Sequence, residues 1–317
     1  MKFLAQFCFT FCVTALTFSS VQASEQVRDY PLTKIAPHTY VIHGPLGYPS
    51  MENQGFMNNP GFVITNDGVV VIDPGSSVQA GRMLLKQMRT VTRKPVTHVF
   101  DTHVHGDHWL GNQAIKEAYP QAKLIGHPEM IKKIKEGEGE QWVSTMEKST
   151  AGFTKGTRVV PPDVPATDNA EFKIGGMTFR IYAPEKAHSY TDIMILAVED
   201  SVAFTGDNVL NQILGRMTDG TFKGNIAACD KIASVKAKHY VPGHGPTGNV
   251  TIVTNYRNYL ATILGTVTQQ YNLGKSDFEM KETVVAKLKP YQDWVRFDLE
   301  VGPHISQAVL EIEAAMK

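Results

Sequence analysis

Cysteine is scarce. There are three in 317 residues, at positions 8, 12 and 229, and two of them lie in the first 23 residues. A chain trimmed of that segment keeps only Cys229, so an internal disulfide framework is excluded. Neither sign of charge is in excess, with 31 basic and 31 acidic residues. That balance excludes the broad basic field on which non-specific nucleic-acid binding depends. It also excludes a polyacidic solvating tail. Beyond the N-terminus no apolar run is long enough to span a bilayer. Internal repeats and low-complexity linkers are lacking as well. What remains is ordinary globular composition, 42% hydrophobic and 20% charged, in a chain long enough to bury a large core.

The N-terminus has its own pattern. Met1-Lys2 precedes a mostly apolar run from Phe3 to Phe18, followed by Ser19-Ser20-Val21-Gln22-Ala23. A charged start, a short apolar stretch and a small-residue site predict a secretory signal peptide over residues 1–23, with the mature chain starting at Ser24. Cleavage removes Lys2 and no acid, leaving one more acidic than basic residue. The expectation is a periplasmic or secreted protein with no stable membrane insertion after cleavage.

Residues 38–75 read as strands. Phe62–Thr65, then Asn66-Asp67-Gly68, then Val69–Ile72 is strand, turn and strand, a hairpin pattern. Residues 44–61 are rich in Gly, Pro and Asn and carry Tyr48, Met51, Phe56 and Met57, which either pack in the core or cover a ligand. Leu84, Met88 and Val91 mark a helix over 80–92, and Val96–Phe100 the next strand. Strands return from Glu171 to Phe204, and His239–Val241 is the last. Ala227–Ser234 looks helical between them. From Thr251 the pattern is helical only, which makes 251–317 a C-terminal helical extension packed on a catalytic domain at 24–250.

The strongest chemical signal is His103-Val104-His105-Gly106-Asp107-His108, directly after a strand. On extended backbone His103 and His105 face one side, so both reach one cation. A turn at Gly106 lets Asp107 and His108 face a second. Imidazole and carboxylate suit Zn²⁺, and iron and manganese as well. Four residues cannot complete two sites. His188, Asp207 and His244 are the distant candidates, at strand ends or in loops; Gly206 and Gly243-Gly245 permit close backbone approach.

This ordered set resembles the metallo-β-lactamase-fold hydrolases over about residues 38–250. The resemblance implies an αββα sandwich of the α/β class, with the metal centre at one edge of its two sheets. It implies that His103, His105 and His188 hold one Zn²⁺, that Asp107, His108 and His244 hold the other, and that Asp207 bridges them. Asp73, in Ile72-Asp73-Pro74-Gly75, matches the family's supporting aspartate. Two departures matter. Ala187-His188-Ser189 replaces the usual Gly-His-Thr, and a bridging Asp207 is similar to the family's thioester hydrolases, not to its antibiotic-hydrolysing members. Gly215–Asn225 and Phe297–Pro303 look like segments of exported quinoprotein relay-system zinc hydrolases.

The implied function is a dinuclear zinc hydrolase of a small-molecule ester, thioester, lactone or lactam, attacked by a metal-bridging hydroxide that Asp107 orients. Lys223, in the region after Asp207, is a candidate for a substrate carboxylate. A mononuclear iron persulfide dioxygenase of the same fold is the alternative. His38, His43, His239 and His304 read as structural or exposed, His98 and His127 as possible neighbours of the site, and Cys229 as a small buried residue.

Overall fold

The structure is a computed structural model that describes residues 26–316. The predicted signal segment lies outside the described residues. Two sheets form the centre. The first holds seven strands in chain order: β1 Leu32–Lys34, β2 Thr39–Ile42, β3 Gly61–Ile64, β4 Val69–Ile72, β5 Val96–Phe100, β6 Lys123–Gly126 and β7 Val164–Pro165. β1 to β4 pair antiparallel and β4 to β7 parallel. The second holds β8 Glu171–Ile174, β9 Met177–Tyr182, β10 Met194–Ala197, β11 Val202–Phe204 and β12 His239–Val241. Its order is β12-β11-β10-β9-β8, and only the β11–β12 pair is parallel.

The two-residue period of a strand explains the layering. In β4, Val70 and Ile72 face the second sheet and pack with Phe179, Ile181, Ile195 and Phe204. Val69 and Val71 face outward, against Met83, Leu84 and Met88 of α1 (Val78–Met88) and Ile115 of α3 (Asn112–Ala118). Both faces of β4 are therefore covered, and all four of its residues are buried. Ser77 caps α1 by accepting from the Ala80 amide, and the helix ends at Met88, leaving Val91 exposed beyond it.

The other outer layer lies on the second sheet. It comprises α6 (Phe222–Ser234), α7 (Val250–Asn272), α8 (Asp277–Lys287) and α9 (Phe297–Ala314). Tyr256, Leu260, Ile263 and Val267 of α7 share one cluster with Met194 and Leu196 of β10 and with Ile305 of α9. The C-terminal helices thus complete the fourth layer of an αββα sandwich. Cys229 of α6 is fully buried and its thiol donates to the Asn208 carbonyl. Among the described residues no helix is long and apolar enough to cross a membrane.

Candidate metal centre

Five strands deliver the site from their C-terminal ends. Asp73 follows β4, and His103, His105, Asp107 and His108 follow β5. His188 lies in the loop after β9, Asp207 in a short turn after β11, and His244 after β12. Asp107 and His108 sit on the four-residue helix α2, Gly106–Trp109, so one turn swings them away from His103 and His105. Glycines let these loops meet. A Cβ on Gly243 would fall on Asp207 Oδ1, and one on Gly206, which has φ +50°, would strike Thr102.

The seven predicted ligands come together. His103, His105 and His188 form one group of converging donor atoms, His103, His108 and Asp207 a second, and Asp107, His108 and His244 a third. His244 Nε2 lies 3.2 Å from Asp107 Oδ2 and 3.4 Å from Asp207 Oδ2. His108 Nε2 lies 3.3 Å from Asp207 Oδ1, and His188 Nε2 lies 3.6 Å from Asp207 Oδ2. Two ligands about 2.0–2.1 Å from a tetrahedral Zn²⁺ stand about 3.3 Å apart, so these spacings suit groups arranged around a shared cation. Among the described residues Asp207 alone reaches towards His188 on one side and His108 and His244 on the other.

Three of the histidines have their outward nitrogens occupied. His108 Nδ1 donates to Asp73 Oδ2 at 2.8 Å, His244 Nδ1 to the Met57 carbonyl at 2.8 Å, and His105 Nε2 to Asp219 Oδ2 at 2.9 Å. Once a ring has given up its second proton, each bond favours the tautomer whose remaining nitrogen would present a lone pair to a cation. His103 Nε2, His108 Nε2 and Asp207 Oδ1 are buried and lack hydrogen-bond partners. Leaving three such atoms unpaired is costly; a cation satisfies them. The donor set therefore fits a pair of divalent ions.

The protein's own charges point the same way. Burial holds His188 down to about 3 and lowers His103 well below its usual range. Burial also opposes charge on His244, but Asp207 and Asp107 outweigh it and lift this ring to about 9. Burial works against ionised Asp107, yet His108 and His244 hold it down to about 2. Both carboxylates are thus kept anionic, ready for cations.

Asp73 stands where the sequence places it, behind the cluster. Its Oδ1 accepts from the Thr102 amide, and its Oδ2 from the Thr102 hydroxyl and His108. Asp219 was not legible as a functional residue, although it lies in the Gly215–Asn225 segment; its hydrogen bond to His105 is the cue, and it exists only in three dimensions. Lys223 is a correction. It sits in the first turn of α6 and lines a separate groove with Tyr182, Lys186 and Glu311, away from the cluster. Thr221 caps that helix and starts it five residues before the expected Ala227, which carries Lys223 outward.

A cavity of ≈ 300 Å³ opens above the cluster. Trp142, Met146, Leu210, Ile213 and Leu214 supply its apolar wall, and Tyr48, Met57, Arg216 and Arg296 also line it. Of the apolar residues in 44–61, Tyr48 and Met57 reach this cavity, Phe56 is buried in the core against Tyr30, and Met51 is exposed. His127 caps the helix Pro128–Lys133 by accepting from the Glu129 amide, and His98 bonds Thr97; neither lines the cavity. His304 is structural and fully enclosed, bonded to Tyr259 and to the Gly215 carbonyl.

The sequence profile of the metallo-beta-lactamase superfamily matches residues 54–244, which include all seven candidate ligands. The chain belongs to this superfamily. The atrochrysone carboxyl ACP thioesterase of Emericella nidulans is 27% identical over 160 residues, 50% of this chain and 42% of that protein. The Aspergillus fumigatus protein of the same name is 26% identical over 163 residues, 51% of this chain and 31% of its own. The match spans less than half the length of either relative. Among solved structures, a metallo-beta-lactamase from Pontibacter korlensis superposes with TM-score 0.59 at 22% identity, covering 73% of this chain and 98% of its own. A double mutant of the sec-alkyl sulfatase PisA1 superposes with TM-score 0.72 at 14% identity, covering 89% of this chain and 50% of its own. These likenesses establish the fold.

Proposed function

We propose that this protein is an exported dinuclear zinc hydrolase whose foremost substrate class is a small-molecule thioester, with esters, lactones and lactams as related carbonyl substrates. The observation that carries the reading is Asp207, whose carboxylate faces both halves of a seven-donor cluster under an apolar-walled cavity. The two similar thioesterases support the choice of leaving group. Two bound divalent ions would supply a hydroxide nucleophile at neutral pH and a Lewis acid for the carbonyl oxygen.

The chain's own residues do the rest. His103, His105 and His188 would hold one ion, Asp107, His108 and His244 the other, and Asp207 both. Asp107 Oδ2, beside His244 Nε2, is placed to accept a hydrogen bond from the attacking water and orient it. The wall formed by Trp142, Ile213 and Leu214 takes the acyl chain and excludes bulk water. Hydrolysis then joins the water oxygen to the carbonyl carbon, breaks the carbon–sulfur bond and leaves an acid and a thiol.

Elemental analysis of the mature protein, expressed in balanced metals, should find two zinc ions per chain, and a panel of carbonyl substrates should show thioester cleavage. One iron with negligible zinc, together with persulfide oxidation, would replace this reading with the dioxygenase. Export has its own check: mass spectrometry of the protein from the exported fraction should give an N-terminus at Ser24. An intact residue 1–23 segment held in the membrane would contradict it.

A further inference from the structure

The cavity mouth carries a cluster of charged and aromatic groups that metal binding does not use. The Arg296 guanidinium lies 3.5 Å from the Tyr48 ring centroid, and that of Arg216 lies 5.2 Å from the same ring. Glu300 pairs with Arg296 and accepts from the Tyr48 hydroxyl. The Arg296 and Glu300 side chains are only 9% and 4% exposed. This buried pair anchors Tyr48 as a fixed plate. Arg296 itself begins α9 in the left-handed region, φ 70°, a conformation that non-glycine residues rarely hold and that packing must impose.

The charges in this cluster do not balance. Two guanidiniums share one carboxylate, which Arg296 takes. Among the described residues no carboxylate lies within ion-pair distance of Arg216, which is exposed at the cavity rim. The nearby Asp219 turns instead to His105. Arg296 Nε is buried with no acceptor, and the residue itself lines the cavity. Guanidinium is the side chain best matched to a carboxylate, by two parallel hydrogen bonds.

We infer that the cavity mouth is an anion subsite in which Arg216, held against Tyr48, binds a substrate carboxylate remote from the scissile carbonyl. The inference rests on the hydrolase reading for the reaction, and it adds the substrate class: an acyl compound with an apolar middle and a free acid at its far end. The apolar residues, the metal-ligand candidates and the two arginines line one cavity, so a single substrate can meet all three. Lys223, which faces another groove, has no part in this recognition.

Two hydrolysis-resistant probes test the subsite without turnover: a benzyl thioether of butanoic acid and its primary amide, titrated calorimetrically into zinc-loaded protein. The acid should bind at least about tenfold more tightly than the amide. Arg216→Ala should bring the acid close to the amide while leaving amide affinity unchanged, and Arg216→Lys should retain part of the preference as a single point charge. Arg216 is exposed, so the variants should fold, and circular dichroism checks that they do. Equal binding of the two probes, or none by either, would overturn the subsite. So would an acid preference that survives Arg216→Ala, the result expected if the carboxylate sat on the metals. A separate arm offers the matching thioesters as substrates. If neither is hydrolysed while the Arg216-dependent preference stands, the proposed reaction fails and the subsite does not.

Discussion

Asp207→Ala should bind a single metal ion per chain and lose more than about a hundredfold in kcat, with a much smaller change in substrate binding. Loss of a mere outer partner of a metal ligand already costs about 10–100-fold, and Asp207 touches both halves of the cluster. Its Oδ2 lies 3.6 Å from His188 Nε2 and 3.4 Å from His244 Nε2, and its Oδ1 3.3 Å from His108 Nε2. Without it two cations lose the group that spaces them, and the site loses a compensating negative charge. The competing role, capping the turn after Thr205-Gly206, is not served: Asp207 Oδ1 has no hydrogen-bond partner. A turn cap would predict a lower Tm with two metals and near-normal kcat. Stoichiometry, Tm and kcat on one variant therefore separate the roles.

The same variant has a proton signature. In metal-free protein burial opposes charge on His244, yet Asp207, with Asp107, lifts it to about 9. The ring is then protonated at pH 7 and must release its proton to ligate. Metal affinity should fall as pH drops below about 9, because protons compete for this nitrogen. Removing Asp207 removes the largest of the charges that raise His244, so fewer protons should be released on metal uptake at pH 7. Calorimetry in buffers of different ionisation enthalpy reads that number directly.

The candidate metal ligands were legible because each is a chemically distinctive residue at a strand end or in the segment that follows one. The β3–β4 hairpin was legible for a similar reason, since Asn66-Asp67-Gly68 stands between two β-branched runs. Residues joined only by the fold escaped. Tyr48, Arg216, Arg296 and Glu300 come from a loop, a second loop and a helix start, and no local spacing links them. The start of α6 was missed because Gly224 and Asn225 are poor helix formers. Gly224 is there for space: a Cβ would strike the Lys186 carbonyl. Pro303 lies inside α9, which runs from Phe297. The bulk of α7 and α8 packed against that helix overrides a local preference.

Asp73→Asn should weaken metal binding by about 10–100-fold and lower Tm by a few degrees, although it is nearly isosteric. Asp73 holds φ +51°, and Asn is among the residues that best tolerate that region, so the backbone is not newly strained. What changes is the count of acceptors. Two carboxylate oxygens now serve three donors, the Thr102 amide, the Thr102 hydroxyl and His108 Nδ1, all at 2.8 Å. An amide offers one oxygen and places an NH₂ against a donor. If it faces Thr102, a buried backbone N–H loses its partner at about 1–3 kcal/mol. If it faces His108, that ring favours the tautomer with hydrogen on Nε2, and the nitrogen aimed at the cluster can no longer ligate. Competition with a chromophoric chelator measures the affinity, and a thermal melt of the metal-free protein isolates the structural cost. Asp73→Gly supplies the control, because it relieves the left-handed backbone while removing both oxygens. A turn-shaping role for Asp73 predicts a glycine variant at least as stable as wild type with metal affinity intact. The acceptor role predicts that glycine is worse than asparagine on both counts.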